Sequence, residues 1–580
     1  MNEILDILEN DDDNNCDIYI EPPNEGNVTD EDSGNDDAGT PLYPENLSGN
    51  QLLAPAELRY RNKSDIEDEV EEDMQPARKT KRTSKEAPVK PKWKKEDKLL
   101  SQAPFPEGDY STYNQMSETE LFELFFSDEL LDYCKKQMTK YCMKNNWPDI
   151  SVAIEELRVF LGILIVSGYH PVPRRRMFWS QSPEVHNEAI CSAMRRDRFD
   201  EIMKCLHFNA TDDLDKNDKY AKLRPLINHL QRKFMEHYVP ERNISHDEAM
   251  VEYFGKHCCK QAIRNKPIRF GYKIWSQNTT EGYLIAFDPY QGKTHQGDEE
   301  LESKYGKCSA TVLNLLNMYS DEKRILPYHL FTDNLFTTLP LLQEIKTRGY
   351  DGTGTVRKNR IDKSCPILDA NTVDKKERGY AECVTGTMGS ENIKVTRWKD
   401  NAVVTVASTL HGVLPVGKVK RWSKQKTKHV EIEIPKSVKA YNNSMGGTDQ
   451  MDQNINCYRI GIRGKKWWWS LFSWLVDVSI QNAWILAKKR GSGQDHLNFR
   501  QNVAMSYLSR FQTVPKKSGM KRISSRPGFN DARFDRIDHF PIASNRRRCN
   551  GDGCSSTIRM SCSKCDVGLC LQCFKSYHMQ

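Results

Sequence analysis

The stretch YHLFTDNLFTTLPLLQEIKTRGYDGTGTVRKNR, residues 328–360, decides the architecture. Its opening, YHLFTDN (328–334), is an apolar and aromatic run that reads as a strand. TLPLLQEIKTRG (338–349) has helical periodicity and stops at Gly349, and TGTVRKNR (353–360) returns to extended character. Strand, helix and strand in succession point to an α/β core. Asp333 falls where the first strand stops and the helix is about to begin.

Upstream, three more runs read as strands separated by turn residues: NISHDEAMVEYF (243–254), PIRFGYKIWSQ (267–277) and GYLIAFDPYQG (282–292). Asp247 lies at or near the end of the first of them. Before residue 240 the pattern is helical. SETELFELFFSDELLDYCKKQMTKYC (117–142) spaces its apolar residues three and four apart, with Ser117 and Glu120 as a capping box. A second apolar helix covers about 152–168. MRRDRFDEIMKCLHF (194–208) is a third, whose Arg195, Arg196 and Arg198 either meet phosphates or form a solvated face.

Downstream, 361–435 is polar with short strands such as NAVVTVAS (401–408). MGGTDQMDQ (445–453) places Asp449 and Asp452 after a Gly-Gly turn, three residues apart on one face of a helix start. A long helix over 465–489 opens with Trp467, Trp468 and Trp469, which cannot all share one helix face. One or two belong to the core, and the third is free to stack on a base or meet a partner. Residues 490–535 read as linker.

Charge divides the chain. Lys and Arg total 85 against 80 Asp and Glu, yet residues 1–75 hold roughly two dozen acids against only Arg59, Arg61 and Lys63. That leader has the composition of a disordered segment. The basic run PARKTKRTSKEAPVKPKWKKEDK (76–98) is a nuclear-import signal, a DNA-contacting arm or a solvated linker. A basic body behind an acidic leader suits a polyanion partner. No run is apolar and long enough to cross a bilayer, and the N-terminus lacks the order of a signal peptide. The chain is therefore expected inside the cell, with reduced thiols.

In that setting a tight cysteine cluster holds metal. Cys549, Cys554, Cys562, Cys565, Cys570 and Cys573, followed by His578, offer seven soft donors at short spacing. Cys258 and Cys259 lie outside the cluster and receive no role. The acids fit a different metal. Mg²⁺ takes hard oxygen ligands, and a few carboxylates from separate elements suffice. Singly, Asp247 reads equally as a surface acid, Asp333 as a cap and Asp449 as an N-cap.

Longer words carry a resemblance to the piggyBac transposase family, and within it to piggyBac transposable element-derived proteins. They are VPRRRMFW (172–179), MRRDRF (194–199), KPIRFGYKIW (266–275), FTDNLFTTLPLL (331–342), GTGTVRKNR (352–360), YNNSMGGTDQMDQNINCYR (441–459) and RGKKWW (463–468), with the Cys-rich end. The resemblance implies an RNase H-like catalytic core with a helical N-terminal DNA-binding and dimerisation region, an insertion domain and a C-terminal cross-brace zinc module. On that reading 1–100 is acidic leader and basic linker, 101–240 the helical domain, and 241–360 and 436–535 the two parts of the core with a helical linker. The insertion is then 361–435 and the zinc module 536–580.

It further implies that Asp247, Asp333 and Asp449 bind two catalytic Mg²⁺, with Asp452 also required. His539 would complete two structural Zn²⁺ sites. One takes Cys549, Cys554, Cys570 and Cys573; the other takes Cys562, Cys565, His539 and His578. Arg357, Lys358, Arg360, Arg459, Arg463, Lys465 and Lys466 would contact DNA phosphates. The implied activity is cutting and joining of double-stranded transposon ends at TTAA targets by a nuclear homodimer. The alternative is a domesticated nuclear DNA-binding protein without mobilising activity.

Overall fold

The computed structural model describes residues 16–20, 56–60, 91–182, 184–211, 214–263, 268–292, 299–423, 426–512 and 537–579. The chain divides into two units, Met1–Val514 and Pro515–Gln580.

The first unit is built on one large mixed sheet. Its strands in chain order are β1 (Cys16–Ile20), β2 (Ala56–Tyr60), β3 (Lys92–Lys94), β4 (Asn243–Glu252), β5 (Lys260–Ala262), β6 (Phe270–Thr279), β7 (Leu284–Pro289), β8 (His329–Thr332), β9 (Asp351–Thr355), β10 (Ala381–Met388), β11 (Glu391–Lys399) and β12 (Val403–Ser408). At its centre the order is β7-β6-β4-β8-β9. The β7–β6 and β6–β4 pairs are antiparallel, and β4–β8 and β8–β9 are parallel. The helix Leu339–Thr347 makes the β8-to-β9 crossover, started by the Thr338 side chain accepting the Leu341 N–H and ended by Gly349 at φ 88°. Gly is favoured there because a Cβ would be strained at positive φ.

Side-chain alternation assigns helices to opposite faces of β4 and β6. His246 and Gln277 reach the helix Lys307–Asn317, bonding Thr311 Oγ1 at 3.0 Å and the Val312 carbonyl at 3.0 Å. Ser276 and Asn278, out of phase with Gln277, meet Thr448 of the helix Gly447–Cys457 at 3.1 and 3.0 Å. The helix Trp469–Lys489 is almost wholly buried. Its Asn482 bonds the β7 edge, accepting the Leu284 N–H at 2.9 Å and donating to the Leu284 carbonyl at 3.0 Å.

Several expectations change here. The 117–142 run forms two helices, Glu118–Glu123 and Asp128–Lys144. The Ser117–Glu120 capping box starts the first, and Ser127 caps the second by accepting the Leu130 N–H. The 490–535 stretch contains a helix, His496–Arg510, capped by Asp495. The stretch read as leader and linker contributes strands: β1 pairs with β2 and touches β5 through Ile18 and Ala262, while β3 pairs with β10. Asp97 is also tied in, accepting the Val413 and Leu414 N–H groups at 2.7 and 2.9 Å and pairing with Lys394 at 3.0 Å. The other residues of 1–90 lie outside the described residues. The 361–435 segment extends the main sheet, with β12 antiparallel to β9 and then β11 and β10. Among the described residues of 361–435, the hairpin β13 (Gly417–Ser423) and β14 (Lys428–Ile434) forms a separate sheet.

The second unit holds the hairpin β15 (Pro541–Arg548) and β16 (Thr557–Cys562), then the helix Leu571–His578. Among the described residues no helix is long and apolar enough to cross a membrane.

Candidate functional site

The sheet register sets Asp247 and Asp333 side by side. His246 of β4 stands opposite Thr332 of β8, and Thr332 opposite Gly354 of β9. The next residue on each strand is Asp247, Asp333 and Thr355, so these three form a row where the parallel pairing ends. Asp247 is thus mid-strand, since β4 runs on to Glu252, but it stands at the end of the β4–β8 ladder. Its Oδ1 accepts the Glu248 N–H at 2.8 Å. Asp333 is fixed by the turn that follows it: Oδ1 accepts the Leu335 N–H at 2.7 Å, and its carbonyl accepts the Thr337 hydroxyl at 2.7 Å.

Asp449 arrives from the helix Gly447–Cys457. Gly447 lets that helix touch the sheet, because a Cβ there would lie 2.3 Å from the Thr279 carbonyl oxygen and 2.4 Å from Ser245 Oγ. Thr448 then bonds Ser276, whose hydroxyl donates to the Asp247 carbonyl at 3.1 Å. Asp449 is the following residue and is exposed. Burial pushes the Tyr441 phenol up, a hydrogen bond with Thr355 opposes it, and the charges of Asp333, Asp247 and Asp449 add to the rise. Asp452 is half-buried one turn further along the same helix. Three carboxylates from separate elements, partly open to solvent, could hold a hard divalent cation.

The Cys/His end forms two compact donor groups. The ligand atoms of Cys549, Cys554, Cys570 and Cys573 all lie within 4.8 Å of one another, and so do those of His539, Cys562, Cys565 and His578. These groups have the membership of the two quartets that the family resemblance implies. Backbone N–H groups point at the sulfurs, from Cys570 to Cys549 Sγ at 3.2 Å and from Cys565 to Cys562 Sγ at 3.5 Å. Hydrogen bonds from Ser556 hold the Cys554 thiol down to about 6. Each quartet could hold one metal ion in a closed site of the kind that is structural. His257, Cys258 and Cys259 make a third group of three donors. There His257 is stacked on Trp467 at 4.4 Å and its Nδ1 accepts the Cys259 N–H at 3.2 Å, which is an arrangement of packing.

The family model described as Transposase IS4 matches residues 117–484. The chain is 38% identical to human PiggyBac transposable element-derived protein 3, covering 100% of this chain and 99% of that one. It is 35% identical to human PiggyBac transposable element-derived protein 2, covering 97% and 93%. The chain belongs to the piggyBac transposase family. Its fold is similar to that of a piggyBac transposase solved by cryo-EM as a synaptic complex with hairpin DNA. The TM-score is 0.56 at 18% identity, over 80% of this chain and 99% of that one.

Within this piggyBac-family chain the basic residues divide into outward and inward groups. Lys358, Arg463 and Lys465 are exposed. Arg357 is half-buried and donates to Asn334 Oδ1 at 3.3 Å, and Arg459 pairs with Glu252. Arg360 turns inward, where its Nη1 donates to the carbonyls of Asn334, Leu335 and Thr337 at 2.8, 3.1 and 2.9 Å. It therefore braces the turn that presents Asp333. Lys466 donates to the carbonyls of Lys204 and Leu206, both at 2.8 Å. Arg198 is committed to Glu156 and Glu201, and Arg196 to Asp197. All three tryptophans are core: Trp467, Trp468 and Trp469 are 2%, 1% and 4% exposed, which leaves none to stack on a base. The helix begins only at Trp469, so the first two are placed by the preceding turn and the one-face argument does not apply.

Sequence reasoning passes over Gly447, Thr448, Ser276, Thr355 and Tyr441, which bring the acids together. Only the Gly-Gly pair gives a local signal. Gly447→Ala is expected to cost about 1–3 kcal/mol through overpacking against backbone and to displace Asp449. Thermal unfolding together with divalent-metal affinity checks it.

Proposed function

We propose that this chain is a piggyBac-like DNA transposase that cuts and joins DNA at TTAA sites by phosphoryl transfer. The observation that carries the reading is the row of Asp247 and Asp333 on adjacent parallel strands, with Asp449 delivered beside it by the Gly447 contact. The strand order β7-β6-β4-β8-β9, three antiparallel and two parallel, supports an RNase H-like core. Asp247, Asp333 and Asp449 would hold two Mg²⁺, with Asp452 in support. Bound there, Mg²⁺ would orient the attacking oxygen and neutralise charge on the phosphate.

In the reaction proposed, water attacks phosphorus, the P–O3′ bond breaks, and the 3′ oxygen leaves as a hydroxyl after taking up a proton. That hydroxyl oxygen then attacks a phosphorus of the opposite strand, whose P–O3′ bond breaks and releases the flanking strand as a 3′ hydroxyl, closing a hairpin on the element end. Water attacks the hairpin phosphorus and restores the element's 3′ hydroxyl, which attacks a phosphorus of a TTAA target and displaces the target's own O3′, which leaves as a hydroxyl. The hairpin DNA in the related complex favours this route.

The two Cys/His quartets are read as structural Zn²⁺ sites in a module that recognises element ends, in a nuclear homodimer. Phosphate contacts fall to the outward cations. Arg463→Ala is expected to leave the unfolding midpoint unchanged and lower the salt slope of DNA binding by about one. Lys466→Ala is expected to cost about 2 kcal/mol of stability, the order for a charged hydrogen bond, with little change in salt slope. Melting curves and salt titrations separate the two.

The second reading is a domesticated DNA-binding protein, favoured by the human relatives' names, which describe them as element-derived. An excision assay in cells decides between them. A reporter is interrupted by the cognate element, with terminal repeats from the source genome. Seamless TTAA repair that needs Asp333 supports a transposase. Nuclear protein that binds those ends without excising them supports the second reading.

A further inference from the structure

The hairpin β13–β14 has one face packed down and one left open. Val419 and Ile434 lie against Trp398, Val406 and Val438, and the Trp398 Nε1–H donates to the Glu433 carbonyl at 2.9 Å. The alternating face carries Lys418, Lys420 and Trp422 on β13, across from Glu433, Glu431 and His429 on β14, and all six are exposed. Asp400 braces the root, taking Arg421 at 3.0 Å and Arg378 at 2.5 Å, and Arg378 also donates to the Trp422 carbonyl at 3.2 Å. The Trp422 backbone is thus fixed while its ring, edge-on to His429 with centroids 5.3 Å apart, is 53% exposed. It is the one exposed tryptophan among the chain's eleven. Lys418 pairs with Glu431 at 3.4 Å. Lys420, Lys426 and Lys428 are exposed, and among the described residues no acid pairs with them. A held aromatic ring beside uncompensated cations is the surface that nucleic-acid sites use.

Sheet register says where this face stands. Thr355, next to Asp333 in the row, is opposite Val406 of β12, and Val406 is opposite Thr396 of β11. β11 runs in the direction of β8 and β9, so Trp398 and Asp400, which hold the hairpin, lie two and four residues beyond that row, at the end of the sheet where the acids are. From β8 to β11 is three strand spacings, about 14 Å. Exposed Lys358, just past β9, lies between. On the other side of the acids, the chain after Arg463 and Lys465 meets β6, where the Tyr272 hydroxyl donates to the Trp467 carbonyl at 3.1 Å. Cations therefore flank the acids on both sides.

We infer that the Lys420–Trp422 face of this hairpin holds the duplex that flanks the element, across the scissile phosphate from the terminal repeat. Its free cations are lysines, which meet phosphates as point charges, and its one nearby guanidinium, Arg421, is committed to Asp400. A surface without a free fork for base edges grips DNA regardless of sequence. A flank that differs at every insertion needs such a grip, and a repeat of fixed sequence does not. The inference rests on the transposase reading.

The test measures binding of the full-length protein in Ca²⁺ to two duplexes carrying the source genome's terminal repeat, one with a long flank and one trimmed to TTAA. Wild type is expected to bind the flanked duplex more tightly. Trp422→Ala should weaken that binding by about 10-fold, the order for one aromatic contact, and leave the trimmed duplex unaffected. Lys420→Ala should lower the salt slope on the flanked duplex by about one. Both variants should melt as wild type does, since neither side chain is packed. Equal wild-type affinity for the two duplexes overturns the proposal. So does an equal loss on both in Trp422→Ala, which would set the face on the repeat, or binding within about twofold of wild type on both, which would leave it to another partner. The transposase reading is judged separately, in Mg²⁺: it fails if wild type cleaves no faster than Asp333→Asn, and the comparison in Ca²⁺ still decides for the hairpin.

Discussion

Asp333→Asn is expected to abolish the Mg²⁺-dependent cleavage of terminal-repeat DNA proposed for this chain, by about 1,000-fold or more, and to leave the fold intact. The asparagine has the size of the aspartate, and its amide oxygen still accepts the Leu335 N–H that Asp333 Oδ1 takes at 2.7 Å. The Asp333 carbonyl and its Thr337 partner are untouched. What disappears is one negative charge from a group of three. A hard cation held by few carboxylates depends steeply on their charge, and its loss removes both orientation of the nucleophile and neutralisation of the phosphate. A factor of 1,000 is about 4 kcal/mol of transition-state stabilisation. Strand-cleavage rates and melting curves measured on the same preparation check both halves. An equal loss of cleavage and of folding would instead mark Asp333 as a structural cap.

The second large effect is expected in the Cys/His module. Chelation, or Cys562→Ser, should unfold residues 537–579 while the first unit stays folded. The hairpin β15–β16 is largely exposed along β15, and Leu569, Cys562 and Cys549 are among the few buried apolar side chains there. So small a core supplies little stability. Structural zinc contributes roughly 10–16 kcal/mol in zinc-finger peptides at neutral pH, far more than this core could offer alone. Hydrogen exchange should show the Cys565 and Cys570 amides, which point at sulfurs, losing protection together. Metal analysis should find two ions released per chain. Binding of element ends should fall by about 100-fold, the cost of roughly 3 kcal/mol of lost specific contacts, with salt-dependent binding to random DNA retained.

The central elements were legible in the sequence because local chemistry specified them. A strand ending just before Asp333, a helix capped by Thr338 and stopped by Gly349, and a following strand each carry a short-range signal. The Ser117–Glu120 capping box is likewise local. The donor quartets were legible once the resemblance supplied His539 and the pairing, since seven donors at short spacing do not reveal which four meet.

What was not legible is set by contacts distant in sequence. Arg360 and Lys466 look like surface cations, and only the fold shows that each turns inward onto backbone carbonyls. The three tryptophans mislead because the helix starts later than its periodicity suggests. The resemblance makes 361–435 an insertion domain, and the pairing of β12 with β9, invisible in either strand alone, joins it to the main sheet. The helix His496–Arg510 did leave a signal, with Asp495 as N-cap and Phe499, Val503, Ala504, Tyr507 and Leu508 on one buried face. Its polar neighbours masked it.

Anomalous diffraction from the full-length protein bound to terminal-repeat DNA in Mn²⁺ tests the central claim most directly. The account predicts metal peaks among the carboxylates of Asp247, Asp333 and Asp449, beside the scissile phosphate, and their loss in Asp333→Asn. DNA seated on this face with no metal at the three carboxylates, or metal bound elsewhere on the core, would contradict it.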